Sequence, residues 1–336
     1  MPFYLKPSPE ILDGLRSISF PFDSIDDLTG LDSTSLALFS DYGPNDTDFQ
    51  TCAFYLVDWN DSVHLCRMLD LIKQRHGAAA RTIDFKGRKD KVKRKVFREW
   101  IRFIRSSPGM LYILGFDRRL KQAAPTEWNA LKKQLRDGGL NDNPKVYDRM
   151  IKAMSFIAAL GPYLKSKHKL AWIMDKDQIF DTDHRKEVLR TSLGYLTDSA
   201  FPKPPSHMSV LTPFDDDGDG ILRHVRELLS VADIAASTLA SSLSFKNEAT
   251  LMLDCRDEAA GHMMEELARF VSIEDYRIGK QLSCPLGISL FVTERTDEGA
   301  PFLRHYTLKL AFSPASKLQD WRDEHVDLDL VSIRAR

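Results

Sequence analysis

The chain has 336 residues, 43% of them hydrophobic and 28% charged, and its 47 basic and 48 acidic residues leave a formal charge of −1. The length fits one large domain plus an appendage, and the composition is ordinary for a globular chain with a sizeable core. A near-zero charge excludes a general polyanion sponge but leaves room for a local basic face. The four cysteines, Cys52, Cys66, Cys255 and Cys284, include no Cys-x-x-Cys pair and lie at no zinc-ligand spacing from a histidine. Such scattered thiols suit a reducing compartment, so a cytoplasmic location is expected. Met1 to Glu10 lacks a basic start followed by an apolar segment, so no signal peptide is expected. The apolar stretch near Met154 to Leu164 is broken by Gly161 and Pro162, so no membrane span is expected either.

Residues 1–33 read as a lead-in punctuated by Pro2, Pro7, Pro9, Pro21 and Gly30. The apolar runs Leu36 to Phe39 and Cys52 to Val57 flank the turn-rich Asp41-Tyr42-Gly43-Pro44-Asn45 and predict a β-hairpin. Val63, Leu65, Cys66, Leu69 and Ile72 predict a helix from Ser62 to His76. A strand is expected at Thr82 to Phe85, then a basic helix from Lys89 to Arg105 with an apolar stripe through Val92, Val96, Trp100, Phe103 and Ile104. Met110 to Phe116 follows as a strand, and two helices are expected around Glu127 to Arg136 and Lys145 to Leu164. Strands at Lys169 to Met174 and Met208 to Leu211 alternate with helices at His184 to Leu196 and about Leu222 to Leu243. This alternation implies an α/β protein with a mixed or parallel sheet covered on both faces. Residues 246–336 read as a smaller α+β region: a helix from Glu258 to Val271, then a hairpin of Leu286 to Glu294 with Leu303 to Phe312 across Asp297-Glu298-Gly299.

Four aspartates fall at positions where side chains converge. Asp41 ends the first strand, Asp84 the strand before Lys86, and Asp175 the strand that begins at Lys169. Asp233 lies inside the apolar helical run Leu228 to Ala236. Mg²⁺ and Mn²⁺ take hard oxygen ligands, and a pair of ions needs several carboxylates from separate elements. Each acid also has a plainer reading. Asp41 and Asp175 fit acids that open a loop after a strand, and Asp84 fits a surface pair with Lys86 or Arg88. Asp233 is harder to explain that way, because an acid in an apolar helix is costly unless paired or metal-bound.

In order along the chain, Phe39-Ser40-Asp41-Tyr42-Gly43, Asp84-Phe85-Lys86, Trp172-Ile173-Met174-Asp175 and Leu229-Ser230-Val231-Ala232-Asp233-Ile234-Ala235 form a pattern. It resembles a large prokaryotic family of ribonuclease H-like fold. Members of that family open with a strand ending Asp-Glu-Ser-Gly, place Glu-x-Lys after a later strand, and close on a Leu-x-x-Ala-Asp-Leu-Ile-Ala helix. The resemblance covers residues 34–245 and implies a ribonuclease H-like mixed sheet flanked by helices. It implies a Mg²⁺ or Mn²⁺ site at Asp41, Asp84, Asp175 and Asp233, with Lys86 stabilising charge at a scissile phosphate. The chain departs from the pattern twice. Aligned on Gly43, Ser40 stands where the family has its aspartate and Asp41 where it has its glutamate, and Asp84 replaces the second glutamate.

Between Lys86 and Arg105 ten basic residues face two acids, Asp90 and Glu99, a local charge of about +8. Arg88, Lys89, Lys91, Lys93, Arg94, Lys95 and Arg98 are therefore candidate contacts for a DNA or RNA backbone. The competing reading is a solvated outer helix face. Asp215 to Ile221 matches the front of a calcium loop, but its twelfth position is Arg226 rather than a bidentate glutamate, so it reads as an acidic turn. There is no Gly-rich phosphate loop and no Gly-x-Ser-x-Gly elbow. The function expected from the sequence is a metal-dependent nuclease, a phosphodiesterase acting on nucleic acid. The alternatives are a non-catalytic nucleic-acid- or protein-binding component of a larger system, and a phosphatase for small phosphoesters.

Overall fold

The computed structural model describes residues 5–6, 8–16, 24–29, 34–44, 47–119, 143–174, 182–211, 221–245, 251–253, 258–276, 283–295, 301–310 and 330–335, with 129, 132, 133, 135–137 and 255. Two short helices, Pro9–Arg16 (α1) and Asp26–Thr29 (α2), precede the sheet. Ser35–Tyr42 (β1) and Phe49–Asp58 (β2) form the expected hairpin, with Phe39 opposite Tyr55 and Asp41 opposite Ala53. Asp58 then starts a helix: its carboxylate accepts the Asn60 N–H at 2.6 Å and caps Trp59–Arg75 (α3). Asp90 does the same for Lys91–Arg105 (α4), accepting from Val92 and Lys93. Met110–Asp117 (β3) pairs antiparallel with β2.

Pro144–Leu160 (α5) is capped by Asn143 and runs into a 3₁₀ turn at Gly161–Tyr163. Lys169–Met174 (β4) lies parallel to β1, and after Asp183–Ala200 (α6) the strand His207–Leu211 (β5) lies parallel to β4. Ile221–Ser242 (α7) leads into a small ribbon of Leu243–Phe245 (β6) and Leu251–Leu253 (β7). Glu258–Ala268 (α8) follows. Leu286–Arg295 (β8) then returns to the main sheet parallel to β3, and Pro301–Leu310 (β9) and Leu330–Ala335 (β10) extend it antiparallel. The strand order is β10-β9-β8-β3-β2-β1-β4-β5. The 246–336 region thus shares its sheet with residues 34–245.

Helices cover both faces, which is why β2 and β3 read as nearly unbroken apolar runs. On one face Leu36, Leu38, Phe54 and Tyr112 pack with Tyr147, Met154 and Phe156 of α5 and Leu189 of α6. On the other, Ala37, Phe39, Ala53 and Tyr55 pack with Leu69 of α3, Trp100 of α4, Ala232 and Ala236 of α7 and Met264 of α8. Among the described residues, no helix is long and apolar enough to cross a membrane.

One expected element is corrected. Thr82 to Phe85 is not a strand: Ile83 and Phe85 are buried, which mimics strand alternation, but Asp84 caps a 3₁₀ turn at Phe85–Lys89. The helix expected over Glu127 to Arg136 falls largely outside the described residues, as do the acidic turn at 215–220 and the 297–299 hairpin turn.

Candidate carboxylate site

The 3₁₀ turn brings Asp84 beside Asp233. Asp84 Oδ1 accepts the Gly87 N–H at 2.8 Å, closing the turn on its own side chain. The same turn presents the Phe85 N–H outward to Asp233 Oδ2 at 2.7 Å. Asp233 Oδ1 accepts a second bond, from Ser237 Oγ at 3.0 Å, one helical turn on in α7. Burial raises the Asp233 pKa above the ordinary carboxylate value. The Phe85 and Ser237 hydrogen bonds oppose that shift, the Asp84 charge adds to it, and Lys86 opposes it. A carboxylate in that state carries charge that its surroundings under-compensate. Lys86 itself is exposed.

Asp41, next to last in β1, lies on the same sheet face. Alternation along β1 sends Leu36 and Leu38 into the core under α5, and Ala37 and Phe39 into the core under α7. Ser40 follows the first set: it is buried and accepts a hydrogen bond from Trp172 Nε1 at 2.8 Å. The resembled family's aspartate position is therefore taken by a side chain on the face away from Asp233, while Asp41 falls on the face toward it. Asp41 Oδ1 accepts the Tyr42 N–H at 2.7 Å. Gly43 lets α7 approach: a Cβ there would meet Thr51 Oγ1 and lie 3.0 Å from the Ala236 carbonyl and 3.0 Å from Ala240 Cβ. Thr51 Oγ1 donates to that carbonyl at 2.8 Å, fixing α7 across the hairpin. Asp175, directly after β4, lies outside the described residues.

The donor chemistry of Asp84 and Asp233 fits a hard divalent ion such as Mg²⁺ or Mn²⁺. The fit is to this pair. Among the described residues, no group of three or more His, Cys, Asp or Glu side chains is placed to hold an ion.

The basic helix is divided. Lys89, Lys91 and Lys95 are exposed. Lys93 instead turns toward Asp84, with Nζ 3.7 Å from Oδ1. Arg94 reaches Glu258 at 3.8 Å, and Arg98, Arg102 and Arg105 converge on Glu266 at 3.6, 2.6 and 3.9 Å. Glu266 is 1% exposed, so α8 drives an acid into the arginine side of α4. Arg88 is described in its backbone alone. Sequence reasoning missed three things here: the inward turn of Lys93, the Ser237 contact and the acids of α8. Ser237 carried a signal, standing four residues after Asp233 on one helix face. No family model, no curated protein and no solved structure matches the chain.

Proposed function

We propose that the chain is a metal-dependent phosphodiesterase acting on nucleic acid, with a ribonuclease H-like carboxylate site. The observation that carries this reading is the approach of Asp84 and Asp233, two acids from distant segments joined through the Phe85 N–H, which donates to Asp233 at 2.7 Å directly beside Asp84. The sheet supports it too: it is mixed, with β1 to β3 antiparallel and β4 and β5 parallel to β1, and helices cover both faces, as the resemblance implies. In this reading Asp84 and Asp233 hold Mg²⁺ or Mn²⁺, with Asp41 from the same sheet face and Asp175 completing the set. A bound ion would supply an activated water and neutralise charge on the phosphate. The chain's own part is orientation. The Phe85 N–H and Ser237 fix the Asp233 carboxylate, and Gly43 lets α7 approach β1. Exposed Lys86 is available to a phosphate oxygen, and Lys89, Lys91 and Lys95 to the flanking backbone. A reducing, cytoplasmic setting suits the chain, whose four cysteines are thiols.

The test is calorimetric titration of Mn²⁺ into metal-free protein, paired with cleavage of DNA and RNA in Mg²⁺ or Mn²⁺. Asp233→Asn keeps the shape of the side chain and removes its charge. It is expected to abolish metal binding and to lower turnover at least ~100-fold, in line with the loss of a charge-stabilising group. Cleavage retained in this variant would overturn the assignment.

A second reading has its own support. Ser40 faces Trp172 rather than the acids, and four arginines of α4 are committed to α8. A non-catalytic component that binds nucleic acid or a protein partner fits both facts. It predicts salt-sensitive binding without cleavage.

A further inference from the structure

Lys93 is the one lysine in the first turn of α4 that faces inward. Lys91 and Lys95 are exposed, whereas the Lys93 side chain retains 19% of its accessibility. Its place follows from helix geometry. Val96, Phe97, Trp100 and Ile104 form the buried stripe of α4, and Lys93 stands three and four residues before the first two. At that position a long side chain runs along the apolar surface and ends at the mouth of the acid pair. The stem lies directly over Gly87: a Cβ on Gly87 would sit 2.7 Å from Nζ and 2.9 Å from Cε, and closer still to Cδ. The ammonium stops 3.7 Å from Asp84 Oδ1. That is too long for a hydrogen bond, yet close enough for a strong charge interaction.

We propose that Lys93 is a tethered counter-ion that competes with a divalent cation for Asp84, and that Gly87 is a glycine because the lysine stem must cross it. The inference rests on the carboxylate-site reading above. Asp84 is 39% exposed in its side chain, so an incoming ion can reach it from solvent. Ion and ammonium cannot both lie against the same carboxylate without strong repulsion, so the ion must displace the lysine outward. The four-carbon stem allows this without moving the helix. Metal affinity is then set by two carboxylates minus one resident charge.

The experiment is calorimetric titration of Mn²⁺ at fixed ionic strength into wild-type chain, Lys93→Met, Gly87→Ala, Lys95→Met and Lys93→Met/Asp233→Asn, each checked for folding by thermal melting. Lys93→Met keeps the stem and removes the charge; Gly87→Ala keeps the charge and evicts the stem. Both are expected to bind Mn²⁺ about tenfold tighter, a modest effect for a unit charge at this range. Lys95→Met, which loses the same charge from the outer side of the helix, should stay within about twofold of wild type. The double variant should lose binding, locating the ion at Asp233. If wild type binds and Lys93→Met and Gly87→Ala bind no tighter, the competition is overturned and the metal site survives. If no form binds Mn²⁺, the metal site itself is overturned. Binding by Lys93→Met where wild type shows none would be the strongest support for the competition.

Discussion

Asp26 accepts hydrogen bonds from Lys165 Nζ at 2.7 Å and His168 Nε2 at 2.9 Å, with Lys167 at 3.1 Å. His168 Nδ1 accepts the Lys165 N–H at 2.8 Å, so Nε2 carries the proton it gives to Asp26. Burial opposes ionisation of Asp26, but these donors outweigh it and hold the carboxyl well below its ordinary range. Asp233 is treated the opposite way, its pKa raised by burial and by Asp84. A carboxyl with a raised folded pKa contributes stability that is fully present below its unfolded pKa of about 3.9 and is lost as pH rises through the folded value. Asp233→Asn, without metal, is therefore expected to stabilise the chain at pH 7 by about 1 kcal/mol, in the range of relieved charge repulsion. The gain should vanish toward pH 3. Urea unfolding at both values measures it, and an Asn variant less stable than wild type at pH 7 would show Asp233 to be a satisfied structural acid.

At the scale of elements, the α4–α8 contact rests on a buried acid shared by three arginines of one helix. Glu266 has Arg102 at 2.9 Å through Nε and 2.6 Å through Nη2, and that interaction raises the Arg102 pKa. Glu266→Gln should cost about 2 kcal/mol, as expected for charge-assisted hydrogen bonds lost in a buried setting. Pairing it with Arg102→Gln in a double-mutant cycle should show coupling above about 1 kcal/mol, and additive losses would mean the contact is held by packing alone. Nothing in one sequence announces such a contact. The arginines stand on α4 at 94, 98, 102 and 105 and the acids on α8 at 258 and 266, and only the fold joins them. The β1–β2 hairpin, helices α3 to α7 and strands β3, β4 and β5 were legible, because the periodicity of apolar residues is local. Thr82 to Phe85 misled because Ile83 and Phe85 are buried on alternate residues while the backbone serves Asp84 and Asp233 instead of a neighbouring strand. Asp233 was legible as an acid out of place in an apolar helix, and Ser237 stood within reach of it at helical spacing; the approach of Lys93 to Asp84 needed the packing of the 3₁₀ turn against α4.

For the molecule as a whole, the deciding feature is β3, every residue of which is buried. Its partner on one edge is β2, and on the other β8, which arrives from beyond residue 283. Sequence reading set a boundary at 245, with a smaller region after it. Ending the chain there would strip β8 from β3, leaving a row of unpaired N–H and C=O groups along an apolar strand. It would also remove Met263, Met264 and Leu267 from the core that holds α7, and take Glu266 away from the arginines of α4. A chain of residues 1–245 is therefore expected to be insoluble, or to lack a cooperative thermal transition by circular dichroism, while the full chain melts as one unit. Cooperative unfolding of the fragment would instead make residues 34–245 a self-sufficient domain and reduce the C-terminal strands to an addition. The outcome bears on the site as well. α7 carries Asp233 and packs against both α8 and the β1–β2 hairpin, so the geometry of the acid pair depends on strands and helices that contribute no atom to it.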